Sequence, residues 1–175
     1  MNKIVNEIRS QNRKFSKDFA YELIGQTEAI YLFLPLTKYN TSFVKEVQSV
    51  KKYYSIDTGF YRALLPSTNM NKGVLLENAV FLHFRKQVSH TRKLHFLEGD
   101  NNCDFVWIEN EKITQAIQVA WDISDPKTYL LEIEAFKNIQ CNNCLLITSE
   151  DERNVTEFGK NIRIVPAWKF LLSQA

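Results

Sequence analysis

No apolar run in the chain approaches the ~20 residues that a membrane-spanning helix needs, so no membrane partner is expected. The first fifteen residues, MNKIVNEIRSQNRKF, are charged throughout and lack the apolar centre of a secretion signal. Cysteine is scarce and odd in number, three in 175 residues. That excludes a paired disulfide framework and fits a reducing compartment, so the cytoplasm is the expected location. An excess of charge of one sign is also lacking. The net value is +2 at pH 7, too small by itself to mark a polyanion-binding protein. No G-x-x-x-x-G-K-[ST] run occurs, which excludes a phosphate-cradling loop of that type and its Mg²⁺-binding hydroxyl.

What is present suits an ordinary globular domain with a small appendage. The chain is 45% hydrophobic and 24% charged, with twelve Phe, seven Tyr and three Trp to fill a core. The charge is unevenly spread. Residues 1–52 carry nine Lys or Arg against five Asp or Glu, and the remainder thirteen against fifteen. A basic N-terminal part fits DNA or an acidic partner, and fits equally a solvated face.

Residues 3 to 10 (KIVNEIRS) set Ile4, Val5 and Ile8 at helical spacing. Ser16 then stands as an N-cap before KDFAYELIGQTEAIYLF, with Asp18 complementing the helix dipole. Phe19, Leu23, Thr27 and Ile30 form its stripe, and Gly25 is where the helix is expected to bend or end. YLFLPLTKYN and TSFVKEVQSVKKYYSID read as two extended runs, a hairpin or wing punctuated by Pro35. Two short helices, a basic turn and an extended stretch resemble the second half of a winged helix-turn-helix; a plain helical hairpin fits as well. Lys14, Lys17, Lys45, Lys51 and Lys52 are the candidate nucleic-acid contacts. The last three stand near Tyr53 and Tyr54, and basic–aromatic interleaving can track a phosphate backbone. Lysines on an edge strand that discourage aggregation are the plainer alternative.

A turn at Gly59 and a short helix ended by Pro66 lead to the helix VLLENAVFLHFRKQ, whose apolar surface includes Leu76, Val80 and Phe84. Glu77 lies on that surface, where a carboxylate is costly unless paired, hydrogen-bonded or metal-bound; the plainer alternative is a boundary glutamate that reaches solvent or an arginine such as Arg85. KLHFLE reads as a strand. NCDFVWIENEKITQAIQVAW then reads as a two-strand hairpin turning at Asn110-Glu111. Period two places Asp104 with Val106 and Ile108, and Gln118 with Ala120. Asp125 caps a helix beginning at Pro126, CLLIT and IRIV are strands, and AWKFLL closes the chain. From Gly73 the order is helix, three strands, helix, two strands, helix, a mixed α/β sheet flanked by helices. Cys141 and Cys144 have the spacing of half a zinc site, to be completed by Cys103 or by one of His83, His90 and His95; alone it is too few ligands.

KKYYSIDTGF, GVLLENAVFLHF, CDFVWI, IQVAW and IRIVPAWKFLL, in that order, resemble the C-terminal domain of bacterial and archaeal predicted AAA-type ATPases. FSKDFAYELIGQTEAIYLF is similar to the end of the winged helix that precedes that domain. The resemblance divides the chain into a partial winged helix with its wing (1–52) and a domain similar to the PD-(D/E)XK nuclease fold (53–175), that is, a restriction-endonuclease-like mixed sheet. It implies that Glu77, Asp104 and Gln118 are the remnant of a catalytic site, with Glu77 and Asp104 as Mg²⁺ ligands if the site is active. Two departures count against activity. Cys103 stands where such domains often carry Glu, and Gln118-Val119-Ala120 stands where many carry Glu-Val-Lys. Lys86 or Lys137 is the expected substitute if any lysine reaches the site. The expected function is a non-catalytic module binding DNA, a protein partner or an ATPase module, with no resident cofactor. A Mg²⁺-dependent nuclease and a purely protein-binding domain are the alternatives.

Overall fold

A computed structural model of the chain describes residues 10, 16–64, 71–99 and 102–172. The helical run expected from residue 3 lies, save Ser10, outside them, as does Lys14. Helix α1 spans Lys17–Ala29, and the Ser16 hydroxyl caps it by accepting from the Phe19 amide at 3.0 Å. The helix continues through Gly25 and does not end there. It stops at Ile30, Tyr31 turns with φ 59°, and β1 (Phe33–Thr37) follows.

The run from Thr41 to Gln48 is not extended. Phe43–Gln48 is helix α2, and β2 (Lys51–Ser55) then returns antiparallel to β1, with Leu34 opposite Tyr54 and Leu36 opposite Lys52. Val44 and Val47 are exposed, and β-branched residues on a solvated face do not hold a six-residue segment extended against its helical turn. The break expected between 52 and 53 falls inside β2. Leu34, Leu36 and Tyr54 are buried with Phe105 and Trp107 in one cluster, so the small sheet and the main domain share a core.

Helix α3 is Gly59–Leu64 and α4 is Lys72–Arg85, the latter capped by the Asn71 side chain. The main sheet is built from β3 (Arg92–Leu97), β4 (Cys103–Glu109), β5 (Lys112–Val119), β6 (Cys144–Thr148), β7 (Arg153–Glu157) and β8 (Lys160–Pro166). Its order is β3-β4-β5-β6-β8-β7. β3, β4 and β5 form an antiparallel meander, β5, β6 and β8 run parallel, and β7 closes the edge antiparallel to β8. Helix α5 (Pro126–Glu134), capped by Asp125, makes the crossover from β5 to β6, and α6 (Ala167–Leu172) ends the described chain. The fold is mixed α/β: a six-stranded mixed sheet flanked by helices, with a two-stranded antiparallel sheet on its N-terminal side.

β7 was not among the expected strands. Only Val155 of RNVTE is even partly buried, so the pattern carries no apolar alternation. The turn into β8 uses Phe158 and Gly159 at φ 53° and 72°, the left-handed pair that two-residue hairpins require. The sheet separates two apolar clusters. One, with Phe105, Trp107, Ile117 and Ile147, lies against α4, β1 and β2; the other, with Val106, Ala116, Leu146 and Ile164, lies against Ile133 and Phe136 from α5 and its end. Among the described residues, no helix is long and apolar enough to cross a membrane.

Candidate functional site

The site forms where β2, α4 and β4 meet at one edge of the first cluster. On β2, Lys52 and Tyr54 share a face because strand side chains alternate. On α4, Glu77 and Phe81 share a face because they are four residues apart. Tyr54 stacks on Phe81 with ring centroids 4.1 Å apart, and its hydroxyl donates to Glu77 Oε1 at 2.6 Å. The apolar stack therefore aims both polar ends at one point. Arg85 is not the partner of Glu77 here; Lys52 is.

Asp104 departs from the alternation expected of it. Cys103, not Asp104, is buried in the cluster of Val106 and Ile108, while Asp104 reaches the α4 side. A register shift between His95 and Leu97 in the β3–β4 pairing breaks the regular count at this end of β4. The Asp104 carboxylate is then fixed twice. Oδ1 accepts from Lys52 Nζ at 2.9 Å, and Oδ2 accepts from the Val119 amide at 3.1 Å.

Lys52 Nζ also donates to Glu77 Oε1 at 3.0 Å, so one ammonium bridges two carboxylates. Burial pulls the Lys52 ammonium downward in pKa, but Asp104 and then Glu77 outweigh it and hold it above 10.5. Asp104 is pushed above the usual carboxylate range by burial and by Glu77, against the opposing pull of Lys52. Burial, with Glu77 second, raises the Tyr54 phenol, so it stays a proton donor. Cys103 is pushed up to about 12 by burial and by Asp104, which leaves an inert thiol donating to the Ile117 carbonyl.

Gln118 is committed internally. Its Oε1 accepts from the Asp104 amide at 3.0 Å, so this oxygen steadies the β4 strand end. Burial raises the pKa of Glu132 on α5, against the opposing pull of the Gln118 side chain and with Asp104 and Glu77 adding to the rise. Sequence reasoning missed Glu132 and misassigned the surroundings of Lys52. An i, i+2 relation to the buried Tyr54 was the one available sign that Lys52 points inward.

Glu77, Asp104 and Gln118 are thus brought together, and the lysine that joins them is Lys52, not Lys86 or Lys137. Lys137 lies over the Phe158 ring, 5.4 Å from its centroid. Among the nucleic-acid candidates, Lys17 and Lys45 are exposed, while Lys51 pairs with Glu28 at 3.6 Å. Cys141 and Cys144 are free thiols. Among the described residues, no group of three or more His, Cys, Asp and Glu side chains is placed to hold a metal ion.

A Mg²⁺ ion wants about six oxygen ligands in octahedral array. Here two carboxylates face an ammonium at 2.9 and 3.0 Å, the Gln118 oxygen is taken, and Ala120 offers nothing. The residues as arranged do not fit Mg²⁺, because a fixed positive charge already stands between the ligands.

Fold and site together define a mixed α/β domain whose edge carries an acid pair neutralised from within. The chain is 31% identical, over 184 aligned residues, to an uncharacterized protein of Methanocaldococcus jannaschii, in a match taking in 98% of this chain and 40% of that protein. The chain therefore spans well under half the length of that relative. No family model and no solved structure matches it.

Proposed function

We propose that the chain is a non-catalytic module that binds nucleic acid or a protein partner, carried on a nuclease-like core whose acidic pair is held by Lys52. The observation that carries this reading is the Lys52 bridge, 3.0 Å from Glu77 and 2.9 Å from Asp104. It turns an acid pair suited to a cation into a strut between β2, α4 and β4. The exposed apolar side chains Ile30, Val44, Val47 and Val50 support a protein partner, an ATPase module being the kind the resemblance implies. Exposed Lys17 and Lys45 support DNA. Incubating the protein with supercoiled plasmid in Mg²⁺ or Mn²⁺ tests the reading: no nicking above background is expected, and cleavage lost in Asp104→Asn would overturn it.

A Mg²⁺-dependent nuclease is the second reading, and one observation favours it. Glu77, Asp104 and Gln118 converge, and Lys52 brings to them the positive charge that Ala120 cannot supply. That reading requires Lys52 to leave the acid pair when metal binds. A metal titration followed through the acid-pair signals, with Lys52→Ala as comparison, separates the two.

A further inference from the structure

A second cleft, of about 480 Å³, opens between the β1–α2 connection, β3 and the β4–β5 turn, away from the Lys52 bridge. That volume lies in the range of small-molecule sites, roughly 300–1,000 Å³. His95 lines it and is only 4% exposed. The Nδ1 atom of His95 is engaged with Thr37 Oγ1 at 3.0 Å, and among the described residues its Nε2 has no protein partner. Burial holds the ring below the ordinary imidazole range against the pull of Glu46, so it faces the cleft neutral. That nitrogen keeps contact with solvent, so a ligand group in the cleft would replace water at it.

The remaining lining is equally specific. The Tyr39 ring sits 5.8 Å from the His95 ring at 58°, and its hydroxyl is tied to the Glu111 carbonyl at 3.2 Å. The ring is therefore held on the wall of the cleft, packed against the second core cluster. Charged groups of both signs share the wall: Lys93 with Glu46 and Glu111. Carboxylates outnumber the lysine, which disfavours a run of phosphates and favours a neutral heterocycle carrying both donors and acceptors. Amino and imino hydrogens suit a carboxylate, and a carbonyl beside a ring nitrogen suits a lysine.

We infer that this cleft binds a guanine-type nucleobase, stacked on Tyr39, with His95 Nε2, Lys93 and a carboxylate of the wall reading its polar edge. The base comes either from a free nucleoside or from an unpaired position in a strand. The inference does not rest on the module's function above, since none of the DNA-contact lysines lines this cleft.

The test is a titration of the full chain, following the His95 imidazole signals by NMR and assigning them with His95→Gln. Guanosine, adenosine, cytidine and uridine form one arm, and a short single strand with one guanine the other. Guanosine should shift the His95 signals saturably and bind at least about tenfold tighter than uridine. If the strand shifts them and guanosine does not, the base is taken from a strand. Lys93→Ala, at an exposed position, should leave melting unchanged and weaken binding about tenfold. The inference is overturned if neither guanosine nor the strand moves the His95 signals, if all four nucleosides move them equally, or if Lys93→Ala binds unchanged.

Discussion

At Lys52 a single ammonium meets opposed demands: two carboxylates draw it in, and burial resists its charge. Replacing it by methionine keeps the bulk of the stem and leaves Glu77 and Asp104 without their cation. Removing one member of a fully buried pair costs about 3–5 kcal/mol. The Lys52 side chain keeps 35% exposure, so solvent screens part of this and about 2 kcal/mol is expected for Lys52→Met. The loss should depend on pH. Asp104 is raised above 3.8 even with Lys52 beside it, so the folded state binds that proton more tightly than the unfolded chain. Stability therefore falls as pH rises from the ordinary carboxylate value through the raised one. Without Lys52 the Asp104 value climbs further and the window widens upward. Urea unfolding should show the variant's deficit largest near about pH 8 and shrinking toward about pH 5. A deficit independent of pH would mean that the bridge is not electrostatic. The wild-type lysine gives a slope of the same sign at the far end: its stabilisation is complete below 10.5 and is lost above that, through its raised value. Asn78 makes a second residue-scale case. It is fully buried on α4, accepts from the Ser55 amide at 2.8 Å, and donates to the Ser55 carbonyl at 2.9 Å. Asn78→Ala would strip a partner from both backbone groups at the end of β2. At about 1–3 kcal/mol for each of the two unsatisfied groups, a loss of about 2–6 kcal/mol in urea unfolding is expected.

Elements were legible where local chemistry agreed with the final packing. Ser16 and Asp125 each cap the helix expected of them, and the all-buried CLLIT became the central parallel strand β6. The Asn110-Glu111 turn also formed as expected, with both residues left-handed at φ 49° and 61°. That geometry favours glycine at its second position. Glu111→Gly keeps the backbone carbonyl that receives the Tyr39 hydroxyl. It should raise stability by about 0.5–1 kcal/mol by relieving the left-handed strain, read as a higher melting temperature. An unchanged or lower one would show that the side chain itself stabilises the turn. The misses share a cause as well. α2 and β7 are five or six residues long and mostly exposed, so neither carries the buried periodicity from which elements are read. Gly25 failed to break α1 because glycine lowers helix propensity by only about 1 kcal/mol, which neighbouring residues absorb.

For the molecule as a whole, the order of elements from residue 73 onward was readable except for β7, because each long element carries its own pattern. Contacts between distant segments were not. Within KKYYS the spacing from Tyr54 turns Lys52 inward, but nothing there says that it lies between Glu77 and Asp104, 25 and 52 residues away in sequence. This changes what the basic N-terminal part can do. Lys52 is spent on the acid pair, Lys51 lies 3.6 Å from Glu28, and Lys17 and Lys45 stay exposed. If the chain binds duplex DNA, each neutralised phosphate contributes about −0.9 to the slope of log K against log salt. Five lysines would give about −4.5, whereas Lys17 and Lys45, with Lys14 added, give about −2 to −3. Lys45→Ala should lower the magnitude of the slope by about 0.9, while Lys51→Ala leaves it in place. Gel shifts or fluorescence anisotropy across a salt series measure this directly. A slope near −4.5 would show that Lys51 and Lys52 leave their carboxylates for phosphate. The acid pair would then be released on DNA binding, and the nuclease reading would regain the free ligands that the bridge now withholds.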